Sequence, residues 1–167
     1  YAAFGSGKDG PLVVDAGQTV VVDTVRSTVT GLNPAGTTTL SMALANGFST
    51  NDLVLIVGTQ DPNTNWSTNA AGIWEFGRIG AITGSVLRLT RPRTNAFDVM
   101  STEKIQVVRV PEFTTVTING TVTCSAWDGS AGGVLAFLCR TLALGSNGSV
   151  TADGKGVPMR RPLEERV

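Results

Sequence analysis

Apolar and polar positions alternate with a period of two along most of the chain, and no segment sustains the 3.6-residue period of a long amphipathic helix. Leu12-Val13-Val14 and Thr19-Val20-Val21-Val22 flank a turn, Asp15-Ala16-Gly17-Gln18, and predict either a hairpin or the first coil of a solenoid. The alternation continues through Val25 to Thr30, then breaks in a loop carrying Pro34 and Gly36. Thr39 to Leu44 reads equally as a strand or a short helical turn. Asp52 to Val57 is an apolar run typical of a fully buried strand, and a polar loop follows from Gly58 to Gly72. Further strands are expected over Ile73 to Ile79, Ser85 to Leu89 and Ile105 to Val110. Their spacing predicts a small antiparallel barrel or sandwich, inserted over about residues 39–110.

The last third holds a repeat. Phe113 to Ile118 alternates Thr with Val and Ile, a half-buried strand. Asn119-Gly120-Thr121-Val122-Thr123 is echoed about 28 residues later by Asn147-Gly148-Ser149-Val150-Thr151. Each copy reads as an Asn-Gly turn leading into a strand, and then a Gly-containing turn with an Asp. Such an offset marks stacked solenoid coils, none of which buries its own apolar face alone. Two copies fall short of a stable stack, so a neighbour must come from the first coil, the inserted module or another subunit. Between the copies, Gly132-Gly133 leads into Val134 to Leu144, a run apolar enough to require cover on both faces. The expected fold class is therefore all-β, with β-solenoid or β-sandwich-like coils flanking an inserted antiparallel module. Residues 1–10 form a Gly-rich arm, flexible or partner-seeking, and 11–156 the β-rich domain. Residues 157–167 are a charged, proline-bearing tail that is either a disordered end or a polar cap on the last coil.

Composition narrows function mainly by exclusion. Thirteen basic and thirteen acidic residues cancel, and only 16% of the chain is charged, which argues against a nucleic-acid binder. The same neutrality removes the repulsion that keeps molecules apart. Arg88, Arg91 and Arg93 are the one arginine cluster and read as a solvated strand end. There is no histidine, which excludes Ser-His-Asp and Cys-His hydrolases and His-ligated metal sites. The two cysteines, Cys124 and Cys139, are either a disulfide across adjacent strands, the slightly favoured reading, or two thiols acting as small hydrophobes. No stretch approaches the roughly 20 apolar residues of a membrane span. The chain begins at Tyr1 without Met or a leader pattern, and its surface is rich in Thr, Asn and Gly but poor in Lys. Secretion, with a signal peptide already removed, is the expectation, and the location extracellular or at a cell surface. Sequons at Asn65, Asn119 and Asn147 fit that reading, although the Asn-Gly turns alone explain the last two.

Several segments together carry a family resemblance: Gly47-Phe48, Asp52 to Ile56, Trp74-Glu75-Phe76, Val108 to Pro111, Trp127-Asp128-Gly129, Gly132-Gly133-Val134 and Ala152 to Gly156. In these the chain resembles the N-terminal region of large secreted bacterial surface proteins of the myxobacterial adventurous-gliding type. The resemblance covers most of residues 5–156 and implies a cell-surface β-rich module with no catalytic residues to carry over. Those proteins usually continue with a glycine-rich segment, from which Val157 onward departs.

Candidate chemistry is sparse. Asp128 and Asp153 occupy similar places in the two copies, so stacking would bring them together as a calcium site or an acid and base pair. The commoner reason for Asp before Gly is turn geometry. No other cofactor is expected. Trp66, in the polar loop, is the candidate for stacking on a sugar ring, whereas Trp74 reads as core; Trp127 is a third aromatic. Glu75 is expected to pair with Arg78 or another arginine. Tyr1, Ala2, Ala3 and Phe4 would supply or anchor an added strand in a partner. The sequence reading is a secreted, non-enzymatic structural protein that self-assembles as a homo-polymer through strand edges. A carbohydrate-binding or carbohydrate-cleaving β-helix is the alternative, with polysaccharide as its partner.

Overall fold

The structure, a computed structural model, describes residues 5–61, 71–100 and 102–158. Tyr1, Ala2, Ala3, Phe4, Asn65 and Trp66 lie outside the described residues, as do residues 159–167 of the tail. Among the described residues every regular element is a strand, and the protein is all-β.

Six strands build three stacked parallel coils. The first coil is β1 (Leu12–Val14) and β2 (Thr19–Val21). After the inserted module come β9 (Glu112–Ile118) and β10 (Thr121–Thr123), then β11 (Leu138–Leu144) and β12 (Ser149–Val150). One sheet runs β1-β9-β11 and the other β2-β10-β12, parallel throughout. Leu12-Val13-Val14 and Thr19-Val20-Val21 thus form a coil and not a hairpin. They supply the third coil that the repeat lacked. The register lines up apolar columns: Leu12, Val116 and Leu142; Val14, Ile118 and Leu144; Val20, Val122 and Val150. The core between the sheets is Val14, Val22, Val116, Ile118 and Val122, with Leu135, Phe137 and Cys139 packed beside it.

The repeated glycines have a reason that the turn pattern did not reveal. Neither Gly120 nor Gly148 has a positive φ. Instead, a Cβ on Gly120 would lie 2.4 Å from the carbonyl oxygens of Asp15 and Gln18, and one on Gly148 would lie 2.1 Å from that of Ile118. Each glycine lets the backbone of its coil approach the turn of the coil before it. The Asn-Gly repeat therefore records stacking distance.

The remaining strands are β3 (Arg26–Thr28), β4 (Thr39–Ser41), β5 (Leu53–Gln60), β6 (Trp74–Thr83), β7 (Val86–Leu89) and β8 (Lys104–Val110). They form one antiparallel sheet in the order β3-β8-β5-β6-β7-β4. The sheet curls until its edge strands meet at the Val29–Met42 bridge. Thr30 N donates to Ser41 O and Ala43 N to Thr28 O on either side of that bridge. Leu40, Val54, Ile56, Ile79, Leu87, Phe97, Ile105 and Val107 fill the interior. The inserted module is thus longer than the expected 39–110, because β3 pairs antiparallel with β8. Thr39 to Ser41 is a strand, which resolves the ambiguity of that segment.

Strand β8 joins the two halves. Ile105 and Val107 face the module's interior, while Gln106, on the other face, is also fully buried. Its side chain donates to Gly132 O at 3.0 Å and accepts from Gly132 N at 2.8 Å, so the loop before β11 satisfies both ends of a buried amide. Pro111 then separates β8 from β9. Having no N–H, it ends the antiparallel ladder, and its carbonyl accepts from Leu138 N of the third coil.

Candidate functional site

The end of the stack is the most unusual surface of the molecule. Val116, Ile118 and Val122 are buried in the second coil, and Val14 is buried in the first. Their register partners in the third coil are not: Leu142 is 52% exposed, Leu144 58% and Val150 42%. From Arg140 to Leu144 every residue of β11 is exposed. The apolar run from Val134 was expected to be covered on both faces, yet beyond Cys139 its residues stay exposed among the described residues. Strands β11 and β12 are also the outermost members of their sheets, so their outer backbone edges take no ladder partner among the described strands.

Behind this face, the coils are locked to the module by ion pairs the sequence did not signal. Glu112, at the start of β9, is fully buried and accepts from Arg78 of β6 in two parallel hydrogen bonds of 2.8 Å. Ser6 N donates to the same carboxylate at 2.8 Å. Arg109 of β8 bridges Asp9 and Asp52, and Lys8 also pairs with Asp52. Burial alone would raise the Asp52 carboxyl, but the hydrogen bond from Lys8, then those from Ser49 N and Arg109, hold it below the ordinary carboxylate value. Glu112 is lowered in the same way, burial being outweighed by Arg78 and Ser6. Burial would lower Arg109, and Asp9 and Asp52 reverse the sign and raise it. Gly5 to Gly10, the described part of the expected flexible arm, is therefore docked: Asp9 N donates to Glu112 O, and Thr114 N to Gly10 O.

The other sequence candidates fall elsewhere. Cys124 and Cys139 are free thiols, so the disulfide does not form. Cys124 directly follows β10 in one sheet, and Cys139 lies in β11 of the other, paired with Phe113 and packed on the coil core. Each serves as a small hydrophobe, and burial, then the Asp23 charge, pushes the Cys124 thiol up. The stacking register pairs Thr121 with Ser149 and carries Trp127 N onto Lys155 O, so Asp128 and Asp153 are not opposite one another. The Asp128 carboxylate accepts from Ala131 N and Ser130 N of its own turn, which hold it below its ordinary value. Asp153 is exposed, and no group of three or more metal-ligating side chains occurs among the described residues. Glu75 forms no ion pair with Arg78, which is committed to Glu112; its oxygens accept from Thr94 N and Asn95 N, and the arginine its charge acts on is Arg93. Arg93 is not a solvated strand end either. It is buried, donates to Pro34 O, Thr39 O and Thr37 Oγ1, and burial lowers its pKa. Trp74, expected in the core, is 58% exposed.

No family model matches the chain, and no curated protein matches it. Among solved structures it is similar to the Gp54 tailspike of Acinetobacter baumannii bacteriophage AP22, determined in complex with A. baumannii capsular saccharide. That likeness has 10% identity and a TM-score of 0.44, and covers 80% of this chain and 24% of the tailspike. The chain is also similar to the tailspike protein gp49 of Pseudomonas phage LKA1, with 11% identity, a TM-score of 0.38, and 70% and 27% coverage. The tailspike gp61 of Pseudomonas phage phi297 has 12% identity, a TM-score of 0.42, and 80% and 22% coverage. The chain spans about a quarter of the length of each. No helix of the described residues is long and apolar enough to cross a membrane.

Proposed function

We propose that this chain is a structural module of an extracellular or cell-surface assembly, and that it associates through its third coil with the third coil of a second copy. One observation carries the reading: Leu142, Leu144 and Val150 continue columns that are buried one coil earlier, yet they stand exposed at an open strand edge. Apolar side chains in register with a core, beside unpaired backbone groups, form a surface that gains from strand addition. A second copy is the occupant because it presents the same apolar ladder, and the chain's zero net charge opposes no approach of like molecules. At the opposite end β1 and β2 are also outermost in their sheets and Val13 and Val21 are exposed, but Val14 and Val22, on the core side of the first coil, are buried. Because Val14 of the first coil is buried where Leu144 of the third is exposed, pairing third coil with third coil gains more apolar burial than head-to-tail growth, which would join β11 and β12 to β1 and β2 of the next copy. Secretion remains part of the proposal and rests on the Thr-, Asn- and Gly-rich, lysine-poor composition.

Sedimentation of the full chain over a range of concentrations tests this. A monomer–dimer equilibrium is expected, and Leu142→Asp with Leu144→Asp should leave only monomer with an unchanged fold by circular dichroism. A chain that stays monomeric at every concentration sinks the proposal, and regular fibres in micrographs replace pairing with end-to-end growth.

A further inference from the structure

A groove of about 470 Å³ opens on the outside of the inserted module, away from the ladder residues of the third coil. Trp74, Glu75, Phe76, Arg91, Pro92 and Asn95 are among its walls. Trp74 begins β6, and its ring meets Phe76 at 5.6 Å between centroids and 72° between planes, so the two rings do not stack. With 58% of the residue exposed, most of the indole stays open to the groove. A tryptophan left in water this way forgoes a large burial gain, which a ligand with an apolar face recovers.

The groove is built in advance. Both oxygens of Glu75 accept from Thr94 N, at 2.9 and 3.0 Å, and one also accepts from Asn95 N at 2.9 Å. The Asn95 side chain donates back to Trp74 O at 3.4 Å. Strand β6 and the loop after β7 are thereby tied together, and the loop holds its polar side chains beside the indole. Both Glu75 oxygens are taken by those backbone donors, and its charge also acts on Arg93. Arg91, exposed on the same wall, has no carboxylate partner among the described residues, which leaves the groove one uncommitted cation.

We propose that this groove binds a saccharide bearing a carboxylate, with a pyranose ring laid on Trp74 and the acid on Arg91. A pyranose presents C–H groups on one face and hydroxyls at its rim, matching an open aromatic ring set among amide and hydroxyl side chains. The guanidinium adds a planar, two-pronged donor site for a uronate-type carboxylate, whose oxygens accept. A protein hot spot also uses exposed Trp and Arg, but it seats them in a close-packed apolar ring. Here Phe76, Leu89 and Pro92 share the lining with the polar Glu75, Arg91, Thr94 and Asn95, a mixed surface suited to a ring with one apolar face and a hydroxyl rim. The site does not depend on the third coil, so it stands or falls separately from association.

The test is calorimetric titration of the full chain with a panel of uronate-containing, sialylated and neutral oligosaccharides, including tetragalacturonate and cellotetraose. An acidic member is expected to bind, and Trp74→Ala should weaken it about tenfold or more while Trp74→Phe retains most of the affinity. Arg91→Ala should erase the preference for acidic over neutral sugars. Both side chains are largely exposed, so unchanged melting temperatures are expected, and Leu144→Asp should bind as the parent does. No binding across the panel at millimolar sugar overturns the proposal, as does binding that is indifferent to Trp74→Ala or equal for acidic and neutral sugars.

Discussion

The inserted module and the coil stack use the same strand chemistry and end in opposite conditions. In the module, Val, Ile and Leu residues of five strands, with Val29 just past β3, surround one interior, and the edges beside β3 and β4 meet at the Val29–Met42 bridge. In the stack, three coils lie in parallel register, and the last leaves Leu142 and Leu144 more than half exposed. A curled antiparallel sheet uses up its own edges when its first and last strands meet. A parallel stack has no such route, because each added coil buries the one before it and exposes its own face. Closure in one half and openness in the other is therefore a consequence of topology more than of composition.

The comparison breaks most readily from the closed side. Phe97 is fully buried in the module's interior. Phe97→Ala should cost about 3–5 kcal/mol, measured by urea unfolding, because a closed interior collapses poorly around a cavity. A loss below about 1 kcal/mol would mean that this interior is looser than its burial implies.

The joint between the halves comes next. Glu112→Gln removes the charge that faces Arg78 within a fully buried side chain, and a loss of about 3 kcal/mol is expected. Acid should reach part of the same loss without mutation. Asp52 and Glu112 have folded pKa values below their ordinary ones, so their contribution is complete above about pH 4–5 and fades as pH falls through the folded values. Glu112→Gln should flatten that acid limb, and an unaltered limb would remove Glu112 from the account.

The smallest effect belongs to the open face. Leu142→Ala, at a residue half exposed in the single chain, should change monomer stability by no more than about 0.5 kcal/mol, read by urea unfolding at low concentration. A loss comparable to that of Phe97→Ala would show that this coil is covered after all.

Much of the architecture was legible in the strand pattern. Alternation identified Phe113 to Ile118, all but the first residue of β9, and the apolar run from Asp52 to Val57 marked the buried strand β5. The Asn-Gly repeat correctly announced stacking, but for a reason local rules do not contain: Gly120 and Gly148 answer to carbonyls of another coil. The site was less legible. Trp74 sits in an alternating segment and so reads as core, yet it stands 58% exposed at the start of β6. Glu75 and Arg78 lie at ion-pair spacing in sequence, but their partners come from Thr94, Asn95 and Glu112. Cys124 and Cys139 illustrate the same limit, because spacing along a chain does not say which sheet each residue joins.

What the sequence by itself determined was the period of two, the absence of long helical patterning, the neutral charge and the presence of stacked coils, all of which depend on neighbours close in the chain. The tertiary structure alone decided that residues 12–21 complete the stack, that β3 belongs to the module, and that Lys8, Asp9, Asp52, Arg109, Arg78 and Glu112 converge. It also decided that Leu142, Leu144 and Val150 of the third coil stand exposed while Val14 of the first is buried. The physical reason is the same in each case: these outcomes depend on which strand lies beside which across about a hundred residues of intervening chain, and no local propensity encodes that choice.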